Sequence, residues 1–143
     1  MPVVIRARLD LHDPQIRALL TGPAGPVVTF VRSVARRIRA RAVLTCPVDT
    51  GRLRTAHKEE VGMRFGQVYG LVANDVEYAQ YVHDGTRPHE IRPCRPGGFL
   101  RFETGGRVVF TRRAEHPGTK PQPWLRDALE HEAIRSGFQI RTR

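Results

Sequence analysis

An apolar stripe runs through Val27, Phe30, Val31, Val34, Ala35, Ile38 and Ala42 and ends at Thr45. That spacing predicts a long helix with one buried face. Pro26 suits its first turn, where a missing N–H costs nothing. The period then changes to two. His57 to Arg64 and Val68 to Asn74, separated by "FGQ", predict a hairpin, the second run being rich in residues that suit a half-buried pleated surface. In "NDVEYAQYVHDGT" the pattern turns helical again: Asn74 or Asp75 is a cap, Tyr78, Tyr81 and Val82 share a packing side, and Gly85 is the stop. "GFLRFET" and "RVVFTRR" form a second predicted hairpin through Gly105-Gly106. Leu125, Ala128, Leu129 and Ala133 mark a final helix that Gly137 ends, and "FQIRTR" alternates like a short closing strand or tail. At the other end Val3 to Leu9 alternates like a strand, followed by a polar passage to "TGPAGP". "RPHEIRPCRPGG" is too rich in proline for regular structure.

These elements define an α+β fold. A long N-terminal helix and a C-terminal helix pack on a mostly antiparallel sheet of hairpins, with extended Pro-rich loops between them. At 143 residues the chain has room for one core, so a single domain over 1–143 is expected.

Charge changes the picture of partners. Lys and Arg number 24 against 14 Asp and Glu, a formal charge of +10. Nucleic acid, an acidic protein face or an anionic membrane surface could each answer such a balance. No apolar run approaches the roughly 18 residues of a spanning helix, and "MPVVIRARLD" carries charges where a signal peptide is apolar, so no membrane partner is expected. Cys46 and Cys94 offer neither a metal spacing nor a disulfide framework, which makes a reducing cytosol the default. On the predicted long helix Arg32, Arg36 and Arg39 share the side opposite the apolar stripe, while Arg37 and Arg41 flank it. This side is either a solvated face or a contact for DNA or a partner. No aromatic residue interleaves it, so base stacking is not suggested.

Candidate chemistry is sparse. His57, His83, His89 and His116 form no ligand pair at helical spacing, and HExxH is absent. Ser33 and Ser136 lie in helical patterns without a nucleophile elbow. "TGPAGP", "PGG" and "TGG" match neither phosphate-loop nor dinucleotide spacing. No enzyme activity, cofactor or metal is therefore expected. Asp49-Thr50-Gly51 alone invites a catalytic reading, since a dimeric aspartic protease pairs two such loops so that their carboxylates share one proton. Arg52 and Arg54 follow it, and they favour the charged form of that carboxylate, the opposite of what a shared proton needs. A helix stop and turn fits better: Pro47 cannot continue a helix, Asp49 or Thr50 can accept from free N–H groups, and Gly51 tolerates special backbone angles. In "AEHPGTKPQPWLRDALEHEAI", Pro117, Pro121 and Pro123 stiffen an extended arm that delivers Trp124 to a defined place.

Three stretches, "PVDTGRLR", "VEYAQYVHDGTRPHEI" and "HPGTKPQPWLRDAL", occur in that order. Together they resemble the neck and tail-completion family of long-tailed bacteriophages, over roughly Val27 to Glu132. Members of that family join a finished tail to a filled head. The resemblance implies a compact α+β subunit that assembles into a homo-oligomeric ring, usually hexameric, at the end of the tail tube. It also implies a structural protein of the virion, assembled in the host cytoplasm, whose partners are the tail tube protein and a head-side connector or stopper. DNA would pass through the lumen without sequence-specific contact. The positions carried over are Asp49, Thr50, Gly51 and Leu53 in the turn, then Tyr78, Ala79, Tyr81, Gly85 and Thr86 in the short helix and its stop. The arm supplies His116, Pro117, Gly118, Pro121, Pro123, Trp124 and Leu125. Two departures stand out: His83-Asp84 precedes Gly85, where the family often has an acid followed by an aromatic or apolar residue, and Trp124 stands where Phe is commoner. A head-side connector or stopper ring is the alternative within the same class. A free nucleic-acid-binding protein would explain the arginines but not the arm.

Overall fold

The computed structural model describes residues 2–7 and 13–139. The chain runs β1 (Pro2–Ala7), α1 (Pro14–Thr21), α2 (Pro26–Thr45), α3 (Arg52–Thr55), β2 (His57–Arg64) and β3 (Gln67–Asn74). It continues through α4 (Ala79–Asp84), β4 (His89–Ile91), β5 (Leu100–Thr104), β6 (Arg107–Thr111), β7 (Ala114–His116) and α5 (Trp124–Arg135). This is the α+β arrangement expected, with the long helix in the N-terminal part and a helix last. The end of the first predicted strand at Leu9, and residues 140–143 of the closing stretch, lie outside the described residues.

Among the described residues three antiparallel sheets carry the strands: β1-β3-β2, with β3 central, and the two-stranded pairs β4-β7 and β5-β6. The β2–β3 register joins His57 to Asn74 and Arg64 to Gln67, so the predicted hairpin turns on Phe65-Gly66. Both turn residues have positive φ, 52° and 73°. One side of β3 is buried at Val68, Gly70, Val72 and Asn74, and α2 lies across it. Val31, Val34, Ala35, Ile38 and Ala42 of α2 are fully buried there. On its other flank α2 packs against α5, where Trp124, Leu125 and Ala128 complete the core. Phe30, expected in the buried stripe, is instead 45% exposed and stacks on Phe138 with ring centroids 5.7 Å apart.

Arginines on both sides of α2 tie these layers together. Arg37 Nε and Arg41 Nη1 approach the buried Glu132 of α5 at 3.4 and 3.8 Å. Arg36 Nε and Arg39 Nε approach Glu59 of β2 at 3.6 and 3.5 Å.

Several sequence expectations are corrected. The polar passage before "TGPAGP" contains α1, capped by Asp13, whose side chain accepts from the N–H groups of Gln15 and Ile16, with Pro14 at the first position. Pro14–Thr45 contains an 18-residue window of mean hydropathy 1.2, long and apolar enough to cross a membrane. Two helices share it, however, meeting at the Gly22–Gly25 turn, and α2 spends its apolar side on the sheet and α5. The stretch judged too Pro-rich for structure holds β4, paired through His89↔His116 and Ile91↔Ala114. Tyr78 and Tyr81, expected to pack, are 39% and 61% exposed, because α4 turns Ala79 and His83 inward instead.

Candidate functional site

The residues picked out by the three sequence stretches converge at the start of α5. Trp124, only 4% exposed, donates its indole N–H to Nε2 of His57 at 2.9 Å. His57 Nδ1 lies 3.0 Å from the carbonyl oxygen of Arg54. A carbonyl can only accept and an indole can only donate, so His57 carries its proton on Nδ1 and is neutral. Burial holds His57 below the usual imidazole range; the hydrogen bond to Arg54 opposes this, and Arg39 adds to it.

Asn74 is buried beside it. Its Nδ2 donates to the Leu53 carbonyl at 2.7 Å and its Oδ1 accepts from the Val76 N–H at 3.1 Å. The 3.4 Å approach of the same Nδ2 to His57 Nδ1 sets two donors together and is not a hydrogen bond in this tautomer. Asn74 thus fastens the end of the Asp49–Leu53 stretch to the approach of α4. As a cap it serves the turn at Val76, since Tyr78 occupies the N-cap of α4 and makes no side-chain cap bond.

His83, 1% exposed, also stands edge-on to Trp124, with ring centroids 5.3 Å apart. Its Nδ1 donates to Asp84 Oδ1 at 2.6 Å and its Nε2 accepts from the Arg126 N–H at 3.4 Å. The indole therefore touches two imidazoles, His57 at the start of β2 and His83 from the second stretch.

A backbone clasp completes the junction. Thr86 and Thr119 exchange both N–H···O bonds, at 3.0 and 3.1 Å, and the Gln122 N–H donates to the Val82 carbonyl at 3.1 Å. Gly85 and Gly118 sit on the two sides of this clasp with φ of 74° and 88°. A Cβ on Gly85 would come within 2.5 Å of the Thr119 oxygen, and one on Gly118 within 2.3 Å of the Thr86 oxygen. Only glycine meets both the angle and the space at these positions.

The structure distributes the remaining sequence-selected residues around this core. Leu53 and Ala79 are buried, as is Leu125. Gly51, with φ of 82°, is the N-cap of α3, and no side chain caps it, so Asp49 and Thr50 do not serve as the expected acceptors. Both are exposed. His116 lies at the arm's entry, where Nδ1 accepts from the Gly118 N–H at 3.1 Å. Pro117, Pro121 and Pro123 carry the arm past the clasp to Trp124. Arg32, Arg36 and Arg39 share one side of α2, but two of the three are engaged: Glu59 of β2 faces Arg36 and Arg39, and Arg39 Nε also donates to the His57 carbonyl at 3.0 Å.

Sequence reasoning passed over His57 and Asn74 as functional positions. Their partners are remote in the chain, with Trp124 67 positions from His57. A buried-strand end bearing His opposite Asn was the available signal.

Among the described residues no three His, Cys, Asp or Glu side chains stand close enough to hold a metal ion. Both ring nitrogens of His57 and of His83 are engaged by the protein itself. The junction is chemically closed, and what it does is fix the relative positions of three segments. Comparison with family models, curated proteins and solved structures finds no significant match.

Proposed function

We propose that this chain is a structural protein of a tailed-phage virion, a ring-forming subunit that completes the tail and joins it to the head. The observation that supports this most is the convergence of the three sequence stretches on Trp124. Residues spread from Leu53 to Leu125 share one folding junction, so their order and spacing act as a signature of a single architecture rather than as separate coincidences. Its buried polar side chains find partners within the junction, chiefly backbone groups of the three segments, which suits a stiff scaffold. In this reading the protein catalyses nothing and needs no cofactor. Its work is geometric: the rigid junction holds α4, the arm and the projecting strands in fixed relation, and rotation about an axis repeats their contacts. The partners are further copies of the chain, the tail tube protein and the head-side connector, with DNA passing through.

Order-of-addition joining tests the proposal. Filled heads and separate tails from a phage lacking this chain are mixed with purified protein given first to one, then to the other. Tails treated first should become competent to join heads. Heads activated instead would move the chain to the connector side, and no joining in either order would overturn the reading.

A further inference from the structure

The β1–β3–β2 sheet has two sides, and α2 covers the one that carries Val68, Gly70 and Val72. Register and alternation place Arg6 of β1, Tyr69 and Leu71 of β3, and Glu60, Gly62 and Arg64 of β2 on the other. A concavity of about 310 Å³ opens there. Val4 and Leu71, the rings of Tyr69 and Phe65, and the cationic Arg6 and Arg64 line it. An apolar lining with a few convergent polar groups is the usual make-up of a ligand site.

Two features of this concavity have no task in the fold. Phe65 takes a φ of 52°, a turn conformation that glycine or asparagine fills without strain and that a bulky side chain does not. Its ring is 91% exposed, so core packing does not offset that strain; the Arg64 guanidinium, 5.2 Å from the ring centroid, is what stands over it. The second feature is charge. Among the described residues no ion pair uses Arg6 or Arg64. The one acid that the three strands place on this side is Glu60, and it already accepts from the Tyr69 hydroxyl at 3.3 Å. A Cβ on Gly62 would come within 2.5 Å of that hydroxyl oxygen, so glycine there lets the Tyr69 ring lie across β2.

We infer that this side of the sheet binds single-stranded nucleic acid, with bases stacking on Phe65 and Tyr69 while Arg6 and Arg64 meet the phosphates. Unpaired guanidinium groups answer phosphate, and the formal charge of +10 extends the attraction beyond the concavity. The rings select the strand state. Open aromatic faces take unstacked bases, which a duplex keeps inside. An acidic peptide would satisfy the arginines but offer no planar group to the strained, outward Phe65. The α2 arginines lack this aromatic company, so the sheet and not the helix is the stacking surface. The inference goes beyond the ring reading and does not depend on it.

Fluorescence anisotropy with the purified full chain tests this, using labelled oligothymidylate, a duplex of equal length and poly-glutamate as probes. The wild type should bind the single strand most tightly. Phe65→Gly suits the positive φ and so keeps the turn, and it should weaken that binding by about 5- to 150-fold, the range of one lost base stack. Arg6→Gln/Arg64→Gln should weaken it as well and flatten the slope of log K against log salt by about 1.4, two phosphate contacts at about 0.7 each. Arg52→Gln/Arg54→Gln removes the same charge before the opposite end of β2 and should leave the slope nearly as it was. Circular dichroism checks that each variant keeps its fold. Binding that Phe65→Gly leaves intact, equal losses in the two arginine pairs, a duplex or poly-glutamate held as tightly as the oligonucleotide, or no binding at all would each overturn the inference.

Discussion

Replacing Trp124 by Phe removes one N–H from the centre of the junction while keeping an aromatic ring beside the two imidazoles. Nε2 of His57 then faces a site where the residue is only 2% exposed, with no donor in reach. Leaving a buried acceptor unpaired costs about 1–3 kcal/mol. Trp124→Ala removes the packing as well and should cost about 3–5 kcal/mol. Against a total stability of about 5–15 kcal/mol, the Ala variant risks unfolding, so the Phe variant carries the test. Guanidinium unfolding followed by circular dichroism should show a lower midpoint at unchanged slope for Trp124→Phe. A double-mutant cycle with His57→Leu should give a coupling of about 1 kcal/mol or more, because each partner's loss is harmful mainly while the other remains. Additivity within about 0.5 kcal/mol, or a Phe variant as stable as the wild type, would refute the hydrogen bond as a support of the fold.

Three further expectations rest on the same structure. Gly118→Ala should destabilise more than Gly105→Ala: both need positive φ, costing about 1–2 kcal/mol, but a Cβ at Gly118 also meets the Thr86 oxygen at 2.3 Å whereas one at Gly105 meets nothing within 4 Å. Equal losses in thermal melts would contradict the clasp. Because burial lowers His57 in the folded state, the unfolded chain takes up a proton first, near pH 6.5. The stability it contributes is complete above that pH and is lost as pH falls through the folded value. Melting temperature should therefore drop on acidification, and His57→Gln should flatten that slope; parallel profiles would be the wrong result. Changing Arg36 and Arg39 together to Gln should lower the unfolding midpoint, because it strips the partly buried Glu59 of the two guanidinium groups that face it. A midpoint equal to that of the wild type would contradict the tie between α2 and β2.

Local pattern carried much of the fold. The α2 stripe, both hairpin turns and the arm leading to a buried Trp124 could be read directly, because each depends on residues within a turn or two of one another. What escaped depended on distance or direction. Tyr78 and Tyr81 share a side of α4 by periodicity, but periodicity does not say which side faces inward; the inward pull of Ala79 and His83 decides that. β4 is three residues between prolines, and its partner β7 begins only at Ala114. Nothing near His89 announces the pairing. α1 escaped because Ile16 and Leu19 are exposed, 48% and 75%, leaving little apolar stripe, although Asp13-Pro14 was a start signal. The site was legible as three stretches and illegible as a junction, since His57 and Asn74 gain meaning only from partners brought in by the tertiary fold.

Immunogold labelling of intact virions locates the chain without assuming any contact described above. Antibody raised against the purified protein is applied to particles of the phage that encodes it and imaged by electron microscopy. Label confined to the head–tail junction is the expected result. Label along the tail, on the capsid shell or absent from virions that are otherwise complete would contradict a tail-completing role.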